Sequence, residues 1–351
     1  MESFGRIVET LHPAYFDVVM ATGVIALAAQ LEQIRPLSLA FTYLNIALCI
    51  ALLALNAIRL IWRQKSFTKD LADFERGPGY FTIVAGLAIV GSQMRGILKY
   101  PGIAFALWVA SLALWVCFNY AIFIEATINE QKPRFEDGIN GGWLVSVVAM
   151  QSVATLAAEL YGEHIVPVAV LFLALILWLA GGMLYIWLIA LIFYRFTFFR
   201  FKPQDFLPPF WINMGAMAIS ALAGATLATN AQRDTFLGNL LPFIEGLTLL
   251  FWATASWWIP MLAILACWQH LIKRFNRPYS PLYWSAVFPL GMYAVAAYEL
   301  SKTMNLPFLM WIPRLFVYLA LAAWAGTLAS MLHSIWTGSA LERDLAGWRW
   351  K

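Results

Sequence analysis

Residues 12–30 read HPAYFDVVMATGVIALAAQ. A proline, one spacer and an aromatic open a run of apolar and small residues. Proline suits the first turn of a helix, where its missing N–H has no partner to lose, and the aromatic suits a membrane–water interface. The same opening returns as Pro78-Gly79-Tyr80-Phe81, Gly141-Gly142-Trp143-Leu144, Pro208-Pro209-Phe210-Trp211 and Pro281-Leu282-Tyr283-Trp284. The anchors at 13, 78, 141, 208 and 281 lie 63 to 73 residues apart. A period of that length holds two membrane-crossing helices and marks an internal repeat.

Around these anchors the chain divides into ten apolar stretches, at 14–30, 37–62, 79–95, 101–124, 142–159, 166–195, 208–229, 239–272, 281–301 and 312–335. Crossing about 30 Å of hydrocarbon takes roughly 20 mostly apolar residues. No connection between them is long enough for a separate soluble domain. The expected architecture is an all-α polytopic membrane protein: one transmembrane domain over 1–351, built as five tandem helical hairpins. In each, an odd-numbered helix runs outward and an even-numbered one returns.

Composition points the same way. The 351 residues are 62% hydrophobic and only 12% charged, against about 25% charged in a soluble globular protein. That excludes a soluble enzyme, a disordered chain and a nucleic-acid binder. With both termini in the cytoplasm, only Arg35, Arg95, Lys99, Arg233, Lys302 and Arg314 of the 23 basic residues fall outside. The other 17 fall inside, as the positive-inside rule requires. A bacterial inner (plasma) membrane is the expected location. Ala26-Leu27-Ala28 resembles a signal-peptidase site, but Glu2 and Glu9 flank Arg6 upstream, so the stretch lacks a basic leader and reads as a helix. Cys49, Cys117 and Cys267 sit in apolar runs and read as small core residues.

Aligning the odd helices on their anchors gives columns. Ten residues on stand Gly23, Ala88, Gln151, Ala218 and Gly291; thirteen on stand Ala26, Gly91, Ala154, Ala221 and Ala294. Positions three apart share a helix face, so each odd helix carries a stripe of small residues. Two readings are open: close packing between helices, or five helices lining a narrow axial pore. Seven on, the column is Met20, Ala85, Val148, Gly215 and Phe288. Only Phe288 is aromatic. Pro289 follows it and should kink the ninth helix.

The opening HPAYFDVVMATG (12–23) and the stretch FPLGMYAVAAYELS (288–301), with ten spans in five hairpins, resemble the tellurite-resistance/dicarboxylate transporter family, which includes TehA-like transporters and slow anion channels. The resemblance covers nearly the whole chain. It implies five hairpins around a quasi-fivefold axis with the odd helices inside, a homotrimer with one pore per subunit, and a pore blocked by a Phe followed by Pro on the ninth helix. Here those are Phe288 and Pro289. Seven residues past its anchor, Phe288 is about 10 Å along the helix, shallow for a mid-membrane gate unless span nine starts before Pro281.

The residues give little basis for an enzyme. His12, His164, His270 and His333 lie at span ends or in a loop, and no Cys, His or carboxylate cluster suggests a metal or cofactor. Ionisable residues in spans are functional candidates by default. Asp17, Glu125, Glu159, Glu245 and Glu299 qualify, and Arg95 is the candidate at a pore mouth. The inner stripes contain no ring of Lys or Arg. A neutral pore, with Gln151, Ser152 and Thr155 as donors, suits weak contact with small anions, because conduction needs release as well as binding. The favoured reading is therefore a channel or transporter for small inorganic or carboxylate anions. Its alternative is a proton-coupled C4-dicarboxylate (malate-type) or sulfite transporter, in which Asp17 is a candidate proton carrier.

Overall fold

The computed structural model describes Gly5 and residues 8–232, 235–275 and 278–337. Arg6, Arg233, Arg277, Arg343, Arg349 and Lys351, used above for orientation, lie outside the described residues.

Ten long helices organise the described residues: α1 Asp17–Leu31, α2 Arg35–Trp62, α3 Phe81–Gly96, α4 Pro101–Ile128, α5 Val145–Gly162, α6 Val168–Phe198, α7 Ile212–Ala231, α8 Leu241–Cys267, α9 Trp284–Thr303 and α10 Trp311–Trp336. Each odd helix opens with a single 3-10 turn on its anchor, from Pro13–Phe16 to Pro281–Tyr283. Three openings share a cap one residue before the anchor. His12 Nδ1 accepts from the Ala14 N–H at 3.1 Å, Asn140 Oδ1 from Gly142 at 2.7 Å, and Ser280 Oγ from Leu282 at 3.3 Å. Such caps satisfy N–H groups that a helix start leaves unpaired. The ninth helix therefore does not extend before Pro281.

The odd helices form the interior. α1 packs on α3, α3 on α5, α5 on α7, α7 on α9, and α9 back on α1, closing a ring. Each even helix lies against the odd helix before it and the odd helix after it. Burial separates the two sets. In the apolar windows of the first, fifth and seventh helices, 78%, 94% and 89% of residues are buried, against 17% in the tenth and 22% in the fourth. Large apolar side chains on the even helices, among them Ile61, Tyr120, Trp187, Leu250 and Tyr318, are exposed, as lipid contact requires. Eight helices, with their flanking turns, are long and apolar enough to cross a membrane. The helices around α3 and α9 are not among them. Both are sheathed by protein and carry polar residues such as Gln93, Arg95, Glu299 and Lys302 that a lipid-facing helix would not tolerate.

Two expectations change. Of the five anchor aromatics, Tyr15 and Tyr283 are half-buried, but Tyr80, Trp143 and Phe210 are 0%, 6% and 1% exposed, so these three face protein and not an interfacial belt. They plug the bundle end: Tyr80 hydroxyl donates to the Phe67 carbonyl at 3.3 Å and Trp143 Nε1 to that of Gly138 at 3.0 Å. Cys49 is buried, but Cys117 and Cys267 are exposed on even helices, because an apolar run there faces outward.

Candidate functional site

Two cavities lie along the ring, and their linings repeat in register. Counting from each anchor, the narrow cavity, of about 30 Å³, is lined at position one by Ala14, Gly79, Gly142, Pro209 and Leu282, and at position four by Asp17, Thr82, Val145, Ile212 and Ser285. That volume holds about one or two waters. The wide cavity, of about 410 Å³, is lined at position fourteen by Leu27, Ser92, Thr155, Leu222 and Val295, and at position eighteen by Leu31, Gly96, Glu159, Thr226 and Glu299. Position eleven adds Ile89, Ser152, Ile219 and Met292. Steps of three and four residues keep one helix face in line, so this face of all five helices looks onto the axis.

Position seven belongs to the same face and falls between the cavities. It carries Met20, Ala85, Val148, Gly215 and Phe288, all buried, with Phe288 only 1% exposed. Pro289 packs against α7: a Cβ added to Gly215 would lie 2.8 Å from Pro289 Cγ. The glycine makes room for the proline ring where the ladder of α9 is interrupted.

The small-residue stripe is corrected by one residue. Of its ten members only Ala88 lines the wide cavity. The Cβ direction of Gly23 meets Ile89 and Asn45, that of Gly91 meets Leu156, and that of Gly291 meets Val24. Each points at the following inner helix. Gln151 turns to α6, where Nε2 donates to the Trp178 carbonyl at 3.0 Å. Ala26, Ala154, Ala218, Ala221 and Ala294 are buried and line neither axial cavity. The stripe is the seat on which ring neighbours pack. One residue is about 100° of helix, so position eleven faces the axis where position ten faces a neighbour.

Charges cluster at the wide end. Arg95 Nε lies 3.2 Å from Glu159 Oε2 and its Nη1 2.9 Å from Glu163 Oε1; Ser92 Oγ donates to Glu159 at 2.7 Å. Arg95, the candidate at a pore mouth, lines the wide cavity, and two carboxylates engage its charge. Lys99 and Glu299 also line this cavity. Ser152 and Thr155 donate to the carbonyls of Val148 and Gln151, both at 2.8 Å. Glu125 and Glu245 line neither cavity.

At the narrow end a buried network ties connecting segments to the ring. Arg59, 1% exposed, donates to Asp70 at 2.6 Å and to the Glu9 carbonyl at 3.1 Å, while Arg76 approaches Asp70 to 2.9 Å. The short helix Gln64–Leu71 delivers Asp70, a feature the sequence pattern did not reveal. Burial, with the Arg76 and Arg59 guanidiniums nearby, pulls the His12 imidazole down to about 3, so it is neutral at ordinary pH. Among the described residues no group of three His, Cys, Asp or Glu side chains is placed to hold a metal.

A closed ring of five buried helices, sheathed by five lipid-compatible ones and hollow at both ends of its axis, is the build of a membrane channel or transporter. The family model described as SLAC1, voltage-dependent anion channel, matches residues 10–332, and the chain belongs to that family. Two proteins of Methanocaldococcus jannaschii, each named an uncharacterized transporter, are 24% identical. One matches over 352 residues, 97% of this chain and 98% of its own; the other over 339 residues, 94% and 96%. An uncharacterized membrane protein of Mycobacterium tuberculosis is 36% identical over 152 residues, 43% of this chain and 77% of its own. The protein is thus an integral membrane protein of an anion channel and transporter family.

Proposed function

We propose that small anions cross the membrane along the axis of the helix ring, and that Phe288 closes this path. The carrying observation is the common register of the two cavity linings, with the one aromatic ring at the register between them. An apolar ring on a narrow axis excludes water and blocks ions by dewetting. Phe288 is the largest and the only rigid ring of the five; Met20, the next in size, is a flexible chain, and Ala85, Val148 and Gly215 are smaller, so Phe288 dominates the constriction and Pro289 sets its backbone. Ten spans related by an approximate fivefold axis, both termini in the cytoplasm and a homotrimeric assembly complete this reading. A dicarboxylate would want a buried cationic clamp, whereas Arg95 is engaged by Glu159 and Glu163 and Lys99, the other cation of this cavity, is exposed, which favours small anions.

The test is flux from liposomes holding the purified protein, with chloride, nitrate, sulfite and malate compared, with and without a pH gradient. Phe288→Ala is expected to raise chloride flux at least roughly tenfold, the effect of a barrier lowered by about 1.4 kcal/mol. Phe288→Leu should lie between, and Val295→Ala, in the wide cavity, should leave flux near wild type. Truncating a buried Phe also costs about 3–5 kcal/mol in a soluble core, so melting temperature is measured on the same preparation. A destabilised Phe288→Ala protein with no gain of flux would show a packing residue instead of a gate.

A further inference from the structure

Asp17 is the single acidic residue in the first turn of any inner helix. It is 1% exposed and lines the narrow cavity at position four. Ser285 Oγ, at position four of the neighbouring α9, donates to Asp17 Oδ2. The other oxygen, Oδ1, is buried without a hydrogen-bond donor among the described residues. No Lys or Arg lines the cavity. Ser285 precedes Phe288 by three residues on the same helix face, so the carboxyl it binds lies at the register about one helical turn before Phe288.

Five helix N-termini converge here, and the partial positive charge at helix starts favours an anion. Asp17, when charged, is itself that anion and repels a permeating one. When neutral it leaves the same field to the permeating ion. We propose that Asp17 is a proton-binding site on the axial path, and that anions pass the narrow end only while its carboxyl is protonated. The proton is taken from and returned to the solution at that face, with no other chemistry. This inference rests on the axial anion path proposed above.

The other titratable side chains at the cavity are His12 and Glu75. His12 is held neutral across the pH 5–8 range by burial and the nearby Arg76 and Arg59. Glu75 is exposed at the cavity rim, next to the Asp73 and Arg76 turn. α3, α5, α7 and α9 present Thr82, Val145, Ile212 and Ser285, none of which titrates there. Glu159 and Glu299 line the wide part of the same path, so substitution of Asp17 itself is what assigns a one-proton dependence to it.

The experiment measures chloride flux from liposomes at equal internal and external pH from 5 to 8, in the Phe288→Ala background where flux is large. The expected result is flux falling at least tenfold towards pH 8 with a one-proton slope. Adding Asp17→Asn, isosteric and still able to accept from Ser285, should flatten the profile near its low-pH level. Ser285→Ala keeps the carboxyl and should displace the midpoint while preserving the slope, which decides the matter if the Asn variant does not fold. A profile that survives Asp17→Asn, a flat profile in the background protein, or an unmoved midpoint in Ser285→Ala overturns the proposal alone. A folded Phe288→Ala protein that passes no chloride at any pH overturns the axial path, and the proton site with it.

Discussion

Where the inner helices begin, their opening turns touch one another in a closed ring, and the space they enclose is about 30 Å³. Where the same helices end, the space is about 410 Å³. The narrow end is built from proline- and glycine-opened turns, with a buried Arg59–Asp70–Arg76 cluster at its side. The wide end, apolar over most of its lining, carries an ionic cluster in which Arg95, Glu159 and Glu163 bridge α3 to the end of α5. On the proposed axial path, the narrow end would supply the resistance and the wide end a vestibule. The close approach at the narrow end follows from the openings: turns that begin on proline or glycine, followed at position one by Ala14, Gly79, Gly142 and Pro209, let backbones approach.

Three experiments sharpen or break this contrast. The largest effect is expected from Asp70→Ala. It leaves the guanidinium of Arg59, 1% exposed, without its carboxylate, and breaking a buried pair from one side costs about 3–5 kcal/mol. The matching change at the wide end, Glu163→Ala, removes a partner that is 35% exposed and should cost at most about 1 kcal/mol. Thermal or denaturant unfolding in detergent compares the two; equal losses would mean that the ends are equally rigid.

Next comes Gly141→Ala. Its Cβ would lie 2.7 Å from Phe210 Cα, with the Pro209 carbonyl closer still. These are backbone atoms, which cannot swing aside, so a penalty of about 1–3 kcal/mol is expected. Gly96, lining the wide cavity, has nothing within 4 Å of an added Cβ, and Gly96→Ala should change stability by less than about 0.5 kcal/mol. Similar melting temperatures for the two variants would remove the close-packed narrow end.

The smallest effect concerns entry at the wide end. Glu159→Gln weakens the neutralisation of Arg95 and should raise chloride flux a few-fold at low ionic strength. The gain should fade as salt shortens the Debye length to about 8 Å at 0.15 M. It should be measured in a conducting Phe288→Ala background, with melting temperature as the folding control. A gain that ignores salt would mean that the charge acts by holding α3 against α5 rather than by attracting ions.

Much of the fold was legible because the membrane constrains it heavily. Lipid demands about 20 apolar residues per crossing, so helix positions show as runs, and the repeat of openings at 13, 78, 141, 208 and 281 separates odd from even helices. The column at position seven was legible as well: Met20, Ala85, Val148, Gly215 and Phe288 are all buried in the structure, while the gating role of Phe288 is a proposal. The sequence pattern went wrong where helix rotation mattered. Gly23, Gly91 and Gly291 form a true column, but a column says only that five helices share a need. An inner helix needs small residues towards its ring neighbours as much as towards an axis.

The chain's own sequence determined that this is an all-helical membrane protein, which of its long helices lie inside, and where an aromatic ring stands in a column of non-aromatic residues. These depend on local composition and period. Only the tertiary structure decided that Gly23, Gly91 and Gly291 face side chains of neighbouring helices, that Arg95 is engaged by Glu159 and Glu163, that Asp70 is clamped by Arg59 and Arg76, and that Asp17 meets Ser285 across 268 residues of chain. Each is a relation between side chains on different elements. It depends on the rotation of each helix about its own axis, about 100° per residue, which no period along a single chain can fix.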